Sequence, residues 1–596
     1  MKRLLWITIC LFCSLYAQTI ITGPNVSGTW NLAGSPYIIQ TQVTVAAADM
    51  LIIEPGVVIR FQPSTKLRIN GQLIASGTSN APITFQATDT TNWSNDTTPN
   101  GGWNGIHFHP YAGSGTDQSQ LKYCIIEDGK YGYSFFQAYS NACTSERGLK
   151  ISHCTFRHNR SGSGLYIAES PLRTATFLSN DTIEIKDCIF YNNASLQGVV
   201  QSSNGGGGFT RISGCHFYQN SIGSCINAHF NNLVIEANEI DHNTMLNSAA
   251  PINVALGNVI IRANRIHHNE SEDYGGIACR AGRITIENNL VCNNRQTDPF
   301  CGITGGGAGI NIAHNDGSDF MDTYYIVRNN IIANNHAGFG GGGLYVFNAR
   351  AVISNNHIIN NYSESFGNGL QVTNPNSEVY LKNNLFHSQY APGNVDTTNV
   401  VYILSANKIL FDNNTIPSSF SKSVNAASGY TLIGDTIHNV ISTNPGIVNP
   451  TPDNSYLSDA TIADFNLLSS SVCIDHGDTA GSFPAIIDYA ENNRLVGIID
   501  IGAYEYQAGK EPLEIEEENI ASFTIYPNPA EINTGFNVIL PEATGRIIIY
   551  DLTGRQIFHQ PVTQQIQRLD FNPESKGIYL VHFYGRKTYT QKLIIH

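Results

Sequence analysis

An all-β chain, a long solenoid of stacked strands followed by a small β-sandwich, is what this sequence predicts. Three observations predict it. Alternating apolar residues, a polar corner and an Asn turn recur at intervals of 23 to 41 residues between Cys124 and Asn414. Glycine is plentiful, at 54 of 596 residues, while charged residues are only 13% against a usual quarter, which suits a turn-rich β protein. Past residue 520 the cysteines stop and short β-runs with Lys and Arg begin. A chain of this length exceeds what one compact core supports, so it must be elongated or divided.

The first residues stand outside the fold. Lys2 and Arg3 precede an apolar run, Leu4 to Phe12, and Ser14-Leu15-Tyr16-Ala17 offers a cut before Gln18. Residues 1–17 therefore read as a signal peptide, and the protein as exported. The run is too short to span a bilayer, and no other stretch reads as transmembrane. A net charge of −14 disfavours nucleic acid and anionic membrane as partners. Two of the 12 cysteines fall in the signal region, and the spacing of the rest is not that of a disulfide-rich mini-domain.

The repeat is clearest when Leu149-Lys-Ile-Ser-His-Cys154-Thr-Phe is set beside Ile183-Glu-Ile-Lys-Asp-Cys188-Ile-Phe and Leu233-Val-Ile-Glu-Ala-Asn238-Glu-Ile. The marker position runs Cys124, Cys154, Cys188, Cys215, Asn238, Asn264, Asn289, Asn330, Asn356, Asn384 and Asn414. Five residues later an Asn returns at Asn159, Asn193, Asn220, Asn243, Asn269, Asn294, Asn335 and Asn361. Alternation marks strands, and one such coil cannot bury its apolar face alone. Stacked coils about 4.8 Å apart share backbone hydrogen bonds. Asn recurring at one bend forms a ladder, each amide bonding to the next rung. The four cysteines at that position read as small buried side chains rather than as two disulfides. With one cysteine per rung and no Cys-x-x-Cys pair, a zinc site there is disfavoured.

These rungs resemble the right-handed parallel β-helix, the pectin-lyase-like fold, over roughly residues 22–430. Gly28-Thr-Trp30, Ile52-Ile-Glu-Pro-Gly-Val-Val58, Ile69-Asn-Gly-Gln-Leu-Ile74 and Gly102-Trp-Asn-Gly-Ile-His-Phe108 resemble its entry coils. Residues 431–507, with Ser471-Val-Cys-Ile-Asp-His-Gly477, Asp488, Arg494 and Asp500-Ile-Gly-Ala-Tyr-Glu505, resemble the closing segment of exported β-helices. This segment is expected to cap the end of the stack against edge-to-edge pairing. Residues 508–519, with five Glu, read as a solvated acidic linker.

The tail, residues 520–596, resembles along its length the type A C-terminal sorting domain of the type IX secretion system of Bacteroidetes-type bacteria. The motif positions are Tyr526, Pro527, Asn528 and Pro529, then Asp551 and Gly554, then Gly577, Tyr579 and Lys592. The resemblance implies a partner, the type IX secretion machinery, and passage across the outer membrane to the cell surface or the medium.

Chemistry is harder to locate. The Asn-Thr-Asp, Asp-Asp and Gly-His-Gly motifs that the resemblance would require of a hydrolase do not occur. No catalytic residue and no resident cofactor is therefore expected. The longest rung, from Asn289 to Asn330, carries Asp298, Asp316, Asp319 and Asp322, where a calcium or ligand loop competes with a plain solvent loop. Cys292 and Cys301 in that rung could pair. His107, His109, His153, His158, His267 and His268 read as surface histidines rather than metal ligands. The expectation is a monomeric, non-catalytic, adhesin-like or polysaccharide-binding rod. The alternative is a lyase or hydrolase acting on acidic polysaccharide.

Overall fold

In the computed structural model the described residues are 18–95, 98, 100–108, 119–130, 143–145, 149–160, 172–175, 182–195, 198–203, 209–245, 249–299, 306–314, 323–387, 400–418, 424–426, 431–433, 438–451, 457–480, 482, 484–507, 523–526, 530, 535–540, 543–551, 555–564, 566–573, 575–585 and 588–595. The signal region and the acidic linker lie outside them. The chain forms two compact units, Met1–Gly509 and Lys510–His596.

The first unit is a solenoid whose successive turns pair in parallel, from Thr19–Ile21 to Val440–Ile441. The last turn thus lies beyond residue 430. A 16-stranded sheet forms one face, and a 27-stranded assembly forms others. A short 7-stranded sheet completes the section. Two strands of 11 residues, Ile226–Glu236 and Ile252–Arg262, run on between faces without a break. Because the pairing is parallel and in register, each interior position meets its own equivalent in the next turn. Phe85, Ile126, Phe156, Phe190, Phe217, Ile240 and Ile266 make one such column. Its phenyl rings stack at 5.0 Å (Phe156–Phe190) and 4.6 Å (Phe190–Phe217). All seven are fully buried, so the core is a set of such columns.

The bends follow from backbone chemistry. The residue just before each marker has positive φ: Tyr123, His153, Asp187, Gly214, Ala237, Ala263, Asn288, Asn329, Asn355, Asn383 and Asn413. The left-handed region turns the chain sharply, and Gly, Asn and Asp reach it most easily. Behind that turn the marker side chain points inward.

From Leu290 onward the outer face of the 16-stranded sheet changes character. Earlier turns carry Arg157, Tyr191, Tyr218 and Asp241 there; later ones carry Leu290, Cys292, Ile331, Ala333, Ile359 and Leu385. The later group packs against Ile447, Phe465, Leu467, Cys473, Ile501, Ala503 and Tyr504 in one buried cluster. The segment expected to cap the end therefore lies along the side of the stack. Its backbone carbonyls accept from the bend asparagines: Asp488 from Asn288 (3.4 Å), Ile487 from Asn329 (2.7 Å), Asp500 from Asn355 (3.2 Å), Asp478 from Asn383 (2.8 Å) and His476 from Asn413 (3.2 Å). An apolar outer face cannot be left wet, and this cover removes it from water.

A buried knot holds the cover's shape. Both Asp500 oxygens accept backbone N–H groups, from Asp475 (2.7 Å) and Tyr506 (2.6 Å), and the Glu505 oxygens accept from Val496 (3.1 Å) and Asp500 (3.0 Å). Arg494 is fully buried among them and donates to the Asp500 carbonyl at 3.0 Å. The carboxylates of Asp500 and Glu505 are thus engaged by backbone amides, and that of Asp478 by the Ala480 amide and the ammonium of Lys382, while Asp475 enters the knot through its own backbone N–H.

The second unit packs two antiparallel sheets. Thr524–Tyr526, Phe536–Ile539 and Ile566–Leu569 form one; Gln556–Val562, Gly545–Tyr550, Gly577–Tyr584 and Thr588–Ile595 form the other. Phe523, Val538, Ile547, Val581, Phe583 and Leu593 fill the space between them.

Candidate metal centre on an open polar face

The marker residues sit in line, one per turn. The Asn238 side chain and backbone amides both donate to Asn264 Oδ1 at 3.0 Å, and Asn264 does the same to Asn289 at 2.9 and 3.0 Å. The chain of bonds continues through Asn330, Asn356, Asn384 and Asn414 and ends on Asn439, a rung the sequence reading omitted. Asn159 through Asn361 make a second, parallel ladder. In the early turns Cys124, Cys154, Cys188 and Cys215 occupy the first line as free, buried thiols. Burial pushes Cys154, Cys188 and Cys215 well above the usual thiol range. Both ladders are scaffolding, buried from any ligand.

The other sequence candidates are dispersed. Asp298 is half-buried in its rung, whereas Asp316, Asp319 and Asp322 lie outside the described residues. Cys292, weighed as half of a disulfide, is a free buried thiol facing the cover, and Cys301 lies outside the described residues. Of the sorting motif, Tyr526, Asp551, Gly577, Tyr579 and Lys592 belong to the sandwich unit; Pro527, Asn528, Pro529 and Gly554 lie outside the described residues. Tyr579 is buried in the sandwich core and donates to the Ser575 carbonyl at 2.5 Å.

What the structure does assemble was not anticipated. On the uncovered half of the 16-stranded sheet, one outward column runs Glu127, Arg157, Tyr191, Tyr218, Asp241 and His267. Its neighbour runs Ile125, Thr155, Ile189, His216, Glu239 and Arg265. Arg157 donates to Glu127 (2.5 Å) and to the Tyr191 hydroxyl (2.9 Å), and Tyr191 stacks on Tyr218 at 5.1 Å and 4°. At the end nearest the cover the strip becomes a knot of imidazoles and carboxylates. His216 Nε2 lies 2.5 Å from Asp241 Oδ1, His242 Nδ1 2.6 Å from Asp241 Oδ2, and His267 Nε2 3.3 Å from Glu239 Oε1. His267 and His268 meet Nδ1 to Nδ1 at 3.0 Å, and His268 Nε2 lies 3.9 Å from Asp459 of the cover.

The electrostatics are those of a poised donor set. Burial works to raise Asp241, but hydrogen bonds from His242 and His216 outweigh it and hold the carboxyl below its usual range. Burial depresses His267 against the opposing pull of Glu239, which favours the neutral imidazole. His267 is thus buried, contrary to its reading as a surface residue, and the half-buried His107 is lowered to about 4, chiefly by desolvation. The sequence signal existed: Glu239 and Asp241 alternate onto one face, and the 26-residue step from Asn238 to Asn264 sets Arg265 and His267 beside them.

Residues 524–596 match the model of the secretion system C-terminal sorting domain, and residues 142–322 that of the right handed beta helix region. The protein is a right-handed parallel β-helix carrying a type IX secretion sorting domain. It is a client of that secretion machinery, exported to the cell surface or beyond. No curated protein sequence matches the chain. Among solved structures, pectate lyase Pel9A aligns at 14% identity over 76% of this chain and 89% of its own, with a TM-score of 0.25. An alginate lyase from Paenibacillus sp. str. FPU-7 aligns at 9% identity over 65% and 93%, with a TM-score of 0.18. Among the described residues no helix is long and apolar enough to cross a membrane.

Proposed function

We propose that the exported β-helix is a polysaccharide-binding, adhesin-like rod, and that its binding face is the uncovered half of the 16-stranded sheet. One observation carries this reading. The cover is laid on the apolar turns from Leu290 onward and stops short of the turns bearing Glu127, Arg157, Tyr191, Tyr218 and Asp241. A protein that seals one half of a face and leaves charged and aromatic side chains on the other has a surface suited to a wet polymer. The stacked tyrosyl rings, their inner faces closed against each other, offer apolar edges and hydroxyls to sugars, and the flanking Arg and carboxylates offer hydrogen bonds to hydroxyl and acid groups. The rungs repeat about every 4.8 Å, so an extended chain laid along the axis meets a fresh outward side chain at each rung.

Cleavage is the second reading, and one feature favours it: Glu239, Asp241 and Arg265 share a strand face, with Arg265 Nε 3.6 Å from Glu239. An acid or base beside a cation on a flat β-helix face is what polymer-cutting chemistry uses. One experiment separates the two. The full chain is incubated with pectins, alginates, glycosaminoglycans and neutral glycans, with and without calcium, while retention, new reducing ends and unsaturated products are followed. Retention without cleavage, weakened about tenfold in Tyr218→Ala, is expected, since one aromatic contact contributes about 1 kcal/mol or more. Cleavage of any polymer sinks the binding-only reading, and retention unchanged in Tyr218→Ala displaces the site from this face.

A further inference from the structure

We propose that Glu239, Asp241 and His267 form a binding site for a divalent transition-metal ion of the zinc class, at the boundary between the open strip and the cover. The proposal goes beyond glycan binding and does not rest on it. The ligand atoms of the three side chains lie within 4.8 Å of one another. The 3.3 Å between His267 Nε2 and Glu239 Oε1 matches the edge of a tetrahedron with metal–ligand bonds of about 2.0–2.1 Å. One imidazole and two carboxylates are a borderline donor set, which suits zinc and its neighbours and not calcium, an all-oxygen cation.

The surrounding groups orient these ligands as metal sites require. A metal on His267 Nε2 needs the proton on Nδ1, and His268 Nδ1 stands 3.0 Å away to accept it. His268 then keeps its own proton on Nε2, facing Asp459 at 3.9 Å. Carboxylate, imidazole and imidazole thus stand in order from Asp459 on the cover to the metal position, with the His268–His267 contact as the direct hydrogen bond among them. His216 donates to Asp241 Oδ1 and His242 to Asp241 Oδ2, leaving the remaining lone pairs of that carboxylate for the ion. The His267 side chain is only 10% exposed, so the coordinating nitrogen is fixed, whereas Glu239 at 45% faces solvent and leaves room for a fourth, exchangeable ligand.

The test uses the untagged full chain, stripped with chelator and titrated with zinc against a chromophoric competitor near neutral pH. A single tight equivalent is expected, weakened about a hundredfold in His267→Ala and in Glu239→Gln and unchanged in His153→Ala, whose imidazole pairs with Asp187 in an earlier turn. Millimolar calcium is expected not to displace it. Thermal midpoints of the variants without metal check that each still folds. X-ray absorption of the zinc-loaded wild type supplies a second reading, with a first shell of nitrogen and oxygen only. Absence of a tight equivalent, equal affinity in His267→Ala, or a sulfur shell pointing to Cys292 would each overturn the proposal.

Discussion

Asn289 illustrates how much a single rung side chain holds in place. Its Oδ1 accepts from two Asn264 amides, while its Nδ2 donates to the Ile261 and Glu287 carbonyls and to Asn330 Oδ1. Asn289→Ala strands several buried partners at once, at about 1–3 kcal/mol each, so a loss of about 3 kcal/mol or more is expected as a drop in urea midpoint. One residue before a rung, the exposed Ala263 holds φ of 54°, which costs an alanine about 1 kcal/mol. Ala263→Asn should raise the same midpoint by about 0.5 kcal/mol. The pair of outcomes separates buried hydrogen bonding from backbone strain. At this scale the ladders were legible, because identical residues at a fixed interval need no knowledge of packing. Asn439 was missed because the alternation around it is short. The His267 knot was missed because its histidines were weighed singly and not in register.

Whole segments behave less transparently. From Asn288 to Asn413 the bend residue is always Asn, whereas earlier turns use Tyr, His, Asp, Gly or Ala. Asn makes the bend easily everywhere; only in the later turns does it also donate to the cover. The sequence carries this switch, yet Asn there is legible only as a turn former and not as the dock for a segment 63 to 200 residues further on. The cover is also where acid should act first. His357 Nδ1 accepts from the Ala503 amide at 2.7 Å, and full burial lowers the imidazole to about 3, with the Arg494 charge adding to the effect. His387, in the neighbouring outward column, is lowered to about 4 by burial. Folded values lie below the unfolded 6.5, so the unfolded chain takes up protons that the folded chain refuses. That contribution is complete above pH 6.5 and is lost as pH falls towards 3. Glu505 acts in the opposite sense: burial raises it from 4.5 to about 7, so its contribution is lost as pH rises through that range. The sum is therefore best read by difference. Between pH 6.5 and 4, the thermal midpoint of wild type should fall more steeply than that of His357→Gln, whose side chain keeps an acceptor but takes no proton.

As a molecule, the protein joins a rod to an address. Removing residues 524–596 takes away the sandwich unit matched by the sorting-domain model, while the solenoid core contains none of its side chains. In a host with type IX secretion, the truncated chain should accumulate in the periplasm with its β-rich circular dichroism intact. Its appearance in the medium would contradict the sorting role. Both units were legible from the sequence, one from its period and the other from the order of its motifs. The placement of the closing segment along the flank was not, because it depends on which turns expose apolar side chains. The ladders have one more property. Every Asn amide in the first line accepts from the turn before and donates to the turn after, so the dipoles of Asn238 through Asn414 all point the same way. Strand amides alternate in direction and largely cancel, but these side chains add. The later part of the stack is therefore polarised along its axis, each amide oxygen pointing toward the early turns and each amide nitrogen toward the late ones.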